Sequence, residues 1–345
     1  MNKGINLVSL AQQLQSDAAI AKDFVGHTSK MRMTPAGDLT LDQGSSALSL
    51  HLTGIAHRQV ADRMGIPYKY YDRMRSDASD LLATNVNRWF DQTPANRMVR
   101  THGNTARAFL SDSYRPLDNV EVASAILPKL IESGLEVVSS QITDRRLYIQ
   151  ARNPKMEGEV KQGDVIQSGL VISNSEVGHG SLAISELDFR LICTNGMIGQ
   201  DVVRQVHAGG GRKGNVSFAA EVFKTETRQA ADRAFWMEAR DAVDDILSRD
   251  RFDRRLDAMK RVAGIEITKP QKAVEKVVEL IPSLTQGDGE SILDHLAKGG
   301  DMSQWGLANA VTAMAHDESD YDRSVDFERL GTTVVQLPSR VFAEL

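Results

Sequence analysis

The segment RRLYIQAR, residues 145–152, carries residue types that bind single-stranded nucleic acid. Side chains of a strand alternate between its two faces, so Arg146, Tyr148, Gln150 and Arg152 share one face. Arginine neutralises phosphate and a tyrosine ring stacks on a base. On an open sheet face this stripe predicts a nucleic-acid platform. The alternative is a solvated face whose arginines pair with acidic residues of neighbouring strands, which is common and contributes little.

Further basic residues are candidates for secondary phosphate contacts around this stripe. They lie in flanking segments and in a glycine-rich loop, and they are Arg100, Arg115, Arg190, Arg212 and Lys213. The loop HAGGGRKGNV lacks the GxxxxGK[ST] pattern of a phosphate-binding loop, so we interpret it as a basic loop without a nucleotide role. The net charge of −5 counts against binding by bulk charge, because nucleic-acid-binding domains tend to be strongly basic. A local basic groove is still compatible with this net charge.

The only cysteine of the chain lies in the segment FRLICTNGM. Strand alternation places Cys193 in phase with the apolar residues before it, and free cysteine usually behaves as a small buried hydrophobe. We therefore expect a structural thiol in the core. The alternative is a nucleophile, which needs a nearby cation or base. His102, His179 or His207 would have to supply that base from a distant part of the sequence.

Two other classes of function stay open. Glu176, His179, Glu186 and Asp188 offer carboxylates and an imidazole for a metal or for acid–base chemistry, but no nuclease or hydrolase spacing is evident. We predict no metal and no cofactor, and we favour a protein without enzymatic activity. The charged helical C-terminal half also suits a factor that binds a host or replication protein.

The elements that position these residues predict an α+β protein. Short alternating segments between residues 135 and 206, joined by Gly, Asn and Asp turns, predict a central antiparallel sheet, with Asn195-Gly196 as a two-residue turn. The helix VEVASAILPKLIESG is expected to cover one face of it. From about residue 219 the pattern is helical, and the predicted helices are 251–263, 270–281, 288–298 and 303–316.

The N-terminal part contains TGIAHRQVADRMGIPYKYYDRMR, which predicts two helices around a turn at Gly65. The spacing is typical of a helix-turn-helix motif, but it is common, and we favour an ordinary helical hairpin packed against the core. The predicted units are an N-terminal helical region (1–94), an antiparallel α+β core (95–216) and a helical C-terminal region (217–345). A single cysteine and the lack of a signal-like or membrane-spanning segment favour the cytoplasm.

Three segments together resemble a known family. FRLICTNGM, with Arg190, Cys193, Asn195 and Gly196, is the most distinctive, and RAFLSDSYRPLDN and WGLANAVTAMAH accompany it. The chain resembles the phage/plasmid-like protein family, domain of unknown function 932, from about residue 50 to about 330. The resemblance implies no catalytic residues. It implies a setting in phages, prophages and plasmids, and so favours binding or annealing of single-stranded DNA by an oligomer.

Overall fold

The fold combines two sheets with helices at both ends of the chain. The computed structural model describes residues 4–44, 46–205 and 225–343. Within these ranges the helices are α1 (Leu7–Ile20), α2 (Gly54–Arg63), α3 (Tyr68–Asp77), α4 (Ser79–Gln92), α5 (Asn119–Glu132), α6 (Thr225–Ile246), α7 (Arg249–Ala263), α8 (Pro270–Leu280), α9 (Gln286–Gly299), α10 (Gln304–Asp317), α11 (Tyr321–Gln336) and α12 (Arg340–Ala343). The strands are β1 (Ala21–His27), β2 (Met31–Met33), β3 (Leu39–Asp42), β4 (Ala47–Leu52), β5 (Asn96–His102), β6 (Thr105–Ser111), β7 (Glu136–Ile142), β8 (Leu147–Glu159), β9 (Val165–Asn174), β10 (Leu182–Arg190) and β11 (Asn195–Gln205). The predicted α+β class is confirmed.

The N-terminal region contains a six-stranded sheet in the order β1-β5-β6-β4-β3-β2. Its neighbouring strands are antiparallel except for β4 and β6, which are parallel. Helices α2, α3 and α4 close its core around Val60, Tyr71, Phe90 and Phe109. The predicted helices around Gly65 are α2 and α3, but this region is not purely helical. The hairpin β5–β6 pairs with β1 and β4, and not with the central sheet.

The central sheet is antiparallel throughout and has the predicted strands in the order β11-β10-β9-β8-β7. Helices α1, α5 and α6 cover one face through a core that includes Ile126, Ile149, Ile172 and Val243. Helix α5 is the covering helix that the sequence predicts. The middle strand β9 is buried almost from end to end, because the opposite face is also covered. The predicted C-terminal helices are present as α7 to α10.

The face of β10 that carries Glu186 and Asp188 is buried. Glu186 and Asp188 are 6% and 4% exposed, because α7 packs over them and supplies Arg251 and Arg255 as ion-pair partners. Alternating charge along β10 therefore marks a buried ion-pair network. A carboxylate can lie in such a place only when it is paired and hydrogen-bonded.

The expectation of a buried Cys193 is wrong. Strand β10 ends at Arg190, and Cys193 lies exposed in a four-residue turn before β11. Thr194 takes a positive φ of 50° in this turn, while Asn195 already pairs with Arg190 in the sheet. The turn thus precedes the predicted Asn195-Gly196 position, and strand alternation no longer applies at the thiol.

In the part of the chain that the structure describes, no helix has both the length and the apolar character to cross a membrane.

The glycine-rich loop with Arg212 and Lys213 lies outside the described residues.

Candidate nucleic-acid interface

The predicted platform on β8 is covered by α11. Tyr148 is 3% exposed and Gln150 is 1% exposed. The Tyr148 hydroxyl donates to Asp322 at 2.8 Å, and Gln150 Nε2 donates to Glu328 at 2.7 Å. Burial and the neighbouring charge of Asp322 raise the pKa of Tyr148. The expectation of an open stacking face is therefore wrong, because the tyrosine ring has no free face for a base.

Three of the predicted arginines hold the fold together through carboxylates. Arg152 pairs with Glu136 at 3.0 Å. Arg190 donates two hydrogen bonds to the Asp164 carboxylate, at 2.6 and 2.8 Å. Arg100 lies between the carboxylates of Asp23 and Asp118. Burial lowers the pKa of Arg100, but the hydrogen bonds to its two carboxylate partners outweigh burial and raise it. Each of these guanidinium groups is therefore already paired with a carboxylate of the protein.

The other two described arginines of the predicted set have no carboxylate partner. Arg146 lies in the β7–β8 turn, where its Nε and a terminal nitrogen donate to the carbonyl oxygen of His179 at 3.0 and 2.5 Å. That contact leaves its positive charge uncompensated. Arg115 is exposed beside Tyr114, whose hydroxyl donates to the Ser175 carbonyl at 3.1 Å. Both therefore lie around the β9–β10 loop, although they are distant in sequence.

Further arginines without an ion pair among the described residues lie near this loop or near one another, since Arg58 and Arg145 act on His179 and Arg63 acts on Arg97. We call the whole set the arginine edge. Its members have no ion pair with any described residue, and they are Arg58, Arg63, Arg97, Arg115, Arg145 and Arg146.

Helix α2 brings its two arginines to the edge because Gln59 fixes the helix in place. The Gln59 side chain donates to the Val177 carbonyl and accepts from the Phe109 amide, both at 2.7 Å. These bonds attach α2 to β6 and to the β9–β10 loop together. Arg58 and Arg63 flank Gln59 on the helix and are exposed.

The electrostatics of the edge follow from this grouping. Burial lowers the pKa of His179, and the charges of Arg145, Arg146 and Arg58 lower it further. His179 is thus held neutral among cations, so it does not titrate as a partner for them. At the other end, burial and then the charge of Arg63 lower the pKa of Arg97. Like charges that lower one another's pKa are stabilised when an anion binds between them.

Acidic residues at the margin of the arginine edge reduce its positive electrostatic potential. Asp322 raises the pKa of His179 and Asp112 raises that of Arg97, each in opposition to the arginines. Neither forms an ion pair with an arginine of the edge among the described residues. Asp326 is a further acidic neighbour, since the charge of Arg146 opposes the rise that burial causes in its pKa. The six arginines of the edge outnumber these three carboxyl groups.

The four residues considered for acid–base or metal chemistry are not brought together as one site. Glu176 pairs with Arg107 at 2.8 Å and accepts from the Asn119 amide at 2.7 Å, where it caps α5. Glu186 and Asp188 are held by α7, as described above. Among the described residues there is no group of three or more His, Cys, Asp or Glu that could hold a metal ion.

Sequence reasoning missed Arg58, Arg63 and Arg145 as members of the edge. Arg145 is adjacent to a predicted residue, but it lies outside the alternating stripe because β8 begins only at Leu147. Arg58 and Arg63 belong to the helical hairpin that resembles a DNA-reading motif. Their positions on the polar face of α2 were the available signal.

The family model described as domain of unknown function (DUF932) matches residues 106–329, more than half of the chain. The chain belongs to the DUF932 family. The match begins in β6 and ends in α11, so the DUF932 region contains the whole central sheet together with Arg115, Arg145 and Arg146. Arg58, Arg63 and Arg97 precede it. No curated protein and no solved structure shows a significant match to this DUF932 protein.

Proposed function

We propose that this DUF932 protein binds single-stranded DNA along the arginine edge. The observation that carries the proposal is a set of six arginines without carboxylate partners among the described residues, three of which act together on His179. Such arginines can neutralise phosphates, and the affinity of this binding comes mainly from counterion release. This moves the interface away from Tyr148, to arginines at the β7–β8 turn, in the loop after β6, on α2 and on β5.

Single-stranded rather than duplex DNA is favoured by the form of the edge. Its cations lie on α2, on β5, in the β7–β8 turn and in the loop after β6. A flexible strand can follow such scattered contacts. At one end the Arg58 guanidinium lies over the Tyr68 ring, 4.9 Å from its centre. This stacked pair is a flat surface of the kind on which bases stack.

A phage or plasmid setting, a role in recombination or annealing, assembly into homo-oligomers and a cytoplasmic location are parts of the same proposal. They extend the resemblance to the phage/plasmid-like proteins. A strand-annealing protein must hold single strands by their backbones and leave the bases available for pairing. Arginines at a rim, without a closed stacking pocket, suit that task.

The test is fluorescence anisotropy of a labelled single-stranded oligonucleotide titrated with the protein at several salt concentrations. We expect log affinity to fall linearly with log salt, with a slope of about −0.7 for each phosphate contact. The double variant Arg58→Ala/Arg145→Ala should bind at least about tenfold more weakly and should show a smaller slope. Duplex DNA of the same sequence is the comparison ligand.

The matched control is Arg73→Ala/Arg75→Ala. These arginines lie on α3 and are exposed, but they are paired with Asp77 and Asp72. The control removes the same formal charge, so binding should be nearly unchanged. No binding by the intact protein at low salt would overturn the proposal in favour of a protein partner. An equal loss in both variants would overturn the assignment to the edge.

A further inference from the structure

A second charged site lies at the other end of the central sheet. A cleft of about 340 Å³ opens between α7, the strands β10 and β11, and α11. Its volume is near the lower limit of small-molecule pockets, which is roughly 300 Å³. Glu186 and Asp188 lie along it, and Arg254, Gln200 and Gln336 are exposed at its mouth.

Three arginines of α7 face this cleft at spacings of three and four residues, which places them on one side of the helix. Arg251 and Arg255 are fixed by Glu186 and Asp188. Arg254 has no ion pair with any described residue. Because Arg251 also pairs with Asp245 at 2.7 Å, the positive charge that is open to an external anion is that of Arg254 at the mouth.

The inner part of the cleft offers an acceptor that the fold does not use. Glu186 Oε1 receives Arg251 and Arg255, whereas its Oε2 accepts no hydrogen bond from the described residues. Space beside this oxygen depends on Gly199, since a Cβ there would lie 2.7 Å from Oε2. A carboxylate oxygen in this position binds a hydroxyl or amino donor.

The remaining wall is mainly apolar. Met197 and Met259, each 4% exposed, and the half-buried Val335 line the cleft from three different elements, and Thr332 lies beside them. Methionine adapts its shape and makes favourable contacts with aromatic rings through its sulfur atom. The cleft therefore combines a cation, a free acceptor and a surface for a flat ring.

We propose that the cleft binds a nucleoside 5′-monophosphate. Its phosphate pairs with Arg254, a sugar hydroxyl or a base amino group donates to Glu186 Oε2, and the base lies against the methionine wall. Arg251 and Arg255 are positioning residues, because their ion pairs with Glu186 and Asp188 hold the floor of the cleft in place. This site is separate from the arginine edge and does not depend on the function proposed there.

The test is isothermal titration calorimetry of the full chain with AMP and dTMP. We expect saturable binding that is lost when adenosine or thymidine, which lack the phosphate, replaces the nucleotide. Arg254→Ala should weaken binding at least tenfold. The matched control is Arg261→Ala, an exposed arginine of the same helix that does not line the cleft, and it should bind normally.

Two further variants separate this site from the edge and from effects on folding. Arg58→Ala/Arg145→Ala should keep full nucleotide affinity even if it loses oligonucleotide binding. Gly199→Ala should lower nucleotide affinity, and a thermal melt of the variant establishes that it is folded. Absence of binding at millimolar nucleotide, or an equal loss in the Arg254 and Arg261 variants, would overturn the proposal. A loss confined to the edge variant would also overturn it.

Discussion

Two groups of arginines in this molecule have the same side chain and opposite surroundings. On α7, Arg255 contacts both Asp188 and Glu186 and is largely buried beneath the helix. At the arginine edge, Arg58 and Arg145 are exposed and have no carboxylate partner among the described residues. The presence of a partner carboxylate therefore determines whether a guanidinium stabilises the fold or can bind an external anion.

The largest effect that separates the two groups should come from Arg255→Ala. Removal of this guanidinium leaves Asp188 buried without its bidentate partner, and breaking a buried pair costs about 3–5 kcal/mol. Urea denaturation measures the change in the free energy of unfolding. Arg145→Ala at the edge should stay within about 0.5 kcal/mol of the wild type.

The matched control on the same helix is Arg249→Ala, because Arg249 forms an exposed i,i+4 pair with Asp253. It should cost less than about 1 kcal/mol. If the Arg255 and Arg249 variants were equally stable, the contrast between a structural and an open set of arginines would not hold.

A somewhat smaller effect should appear as a pH dependence at Glu328, a buried carboxyl on α11. Burial raises its pKa from 4.5 to about 7, although the Gln150 hydrogen bond acts in the opposite direction. The folded state therefore binds a proton more tightly than the unfolded chain. Its contribution to stability is fully present below about pH 4.5 and is lost as the pH rises through about 7.

Glu328→Gln isolates this contribution. Between these pH values the wild type should lose on the order of 3 kcal/mol relative to the variant, since each pKa unit corresponds to about 1.4 kcal/mol. Urea denaturation at a series of pH values measures the difference. Parallel curves for the two proteins would show that the carboxyl is not protonated in the folded state.

An effect smaller than those at Arg255 and Glu328 should come from Tyr148→Phe. The variant loses the hydrogen bond to Asp322, which retains the Thr143 hydroxyl as a donor at 3.2 Å. The cost should be about 1.5 kcal/mol, the lower value for a hydrogen bond to a charged group. Affinity for single-stranded DNA should not change. A loss of DNA affinity at unchanged stability would mean that the β8 face opens and that the stripe itself binds nucleic acid.

The sequence predicted the local elements well, because local patterns determine them. Alternation located the strands of the central sheet, and helical periodicity located α10, which Ser303 caps by accepting a hydrogen bond from the Gly306 amide. The same alternation separated the two faces of β8 and β10 correctly. It carried no information about what lies against each face.

The candidate sites depended on contacts that local patterns do not encode. Tyr148 is buried because Tyr321 and Asp322 of α11 cover it, from more than 170 positions later in the chain. Glu186 and Asp188 were considered for metal or acid–base chemistry, because their arginine partners on α7 also lie far away in sequence. The edge itself forms only where α2 meets the β9–β10 loop through Gln59.

Local patterns were sufficient to predict the α+β class, the strands of the central sheet, the C-terminal helices and the two sets of residues on β8. They were not sufficient for the N-terminal sheet, and tertiary contacts determine which set is covered, which arginines pair with a carboxylate and that Cys193 is exposed. Periodicity fixes only the direction of a side chain relative to its own backbone. Burial and pairing instead depend on elements that approach from distant parts of the chain, and these determine the free energy of each charge.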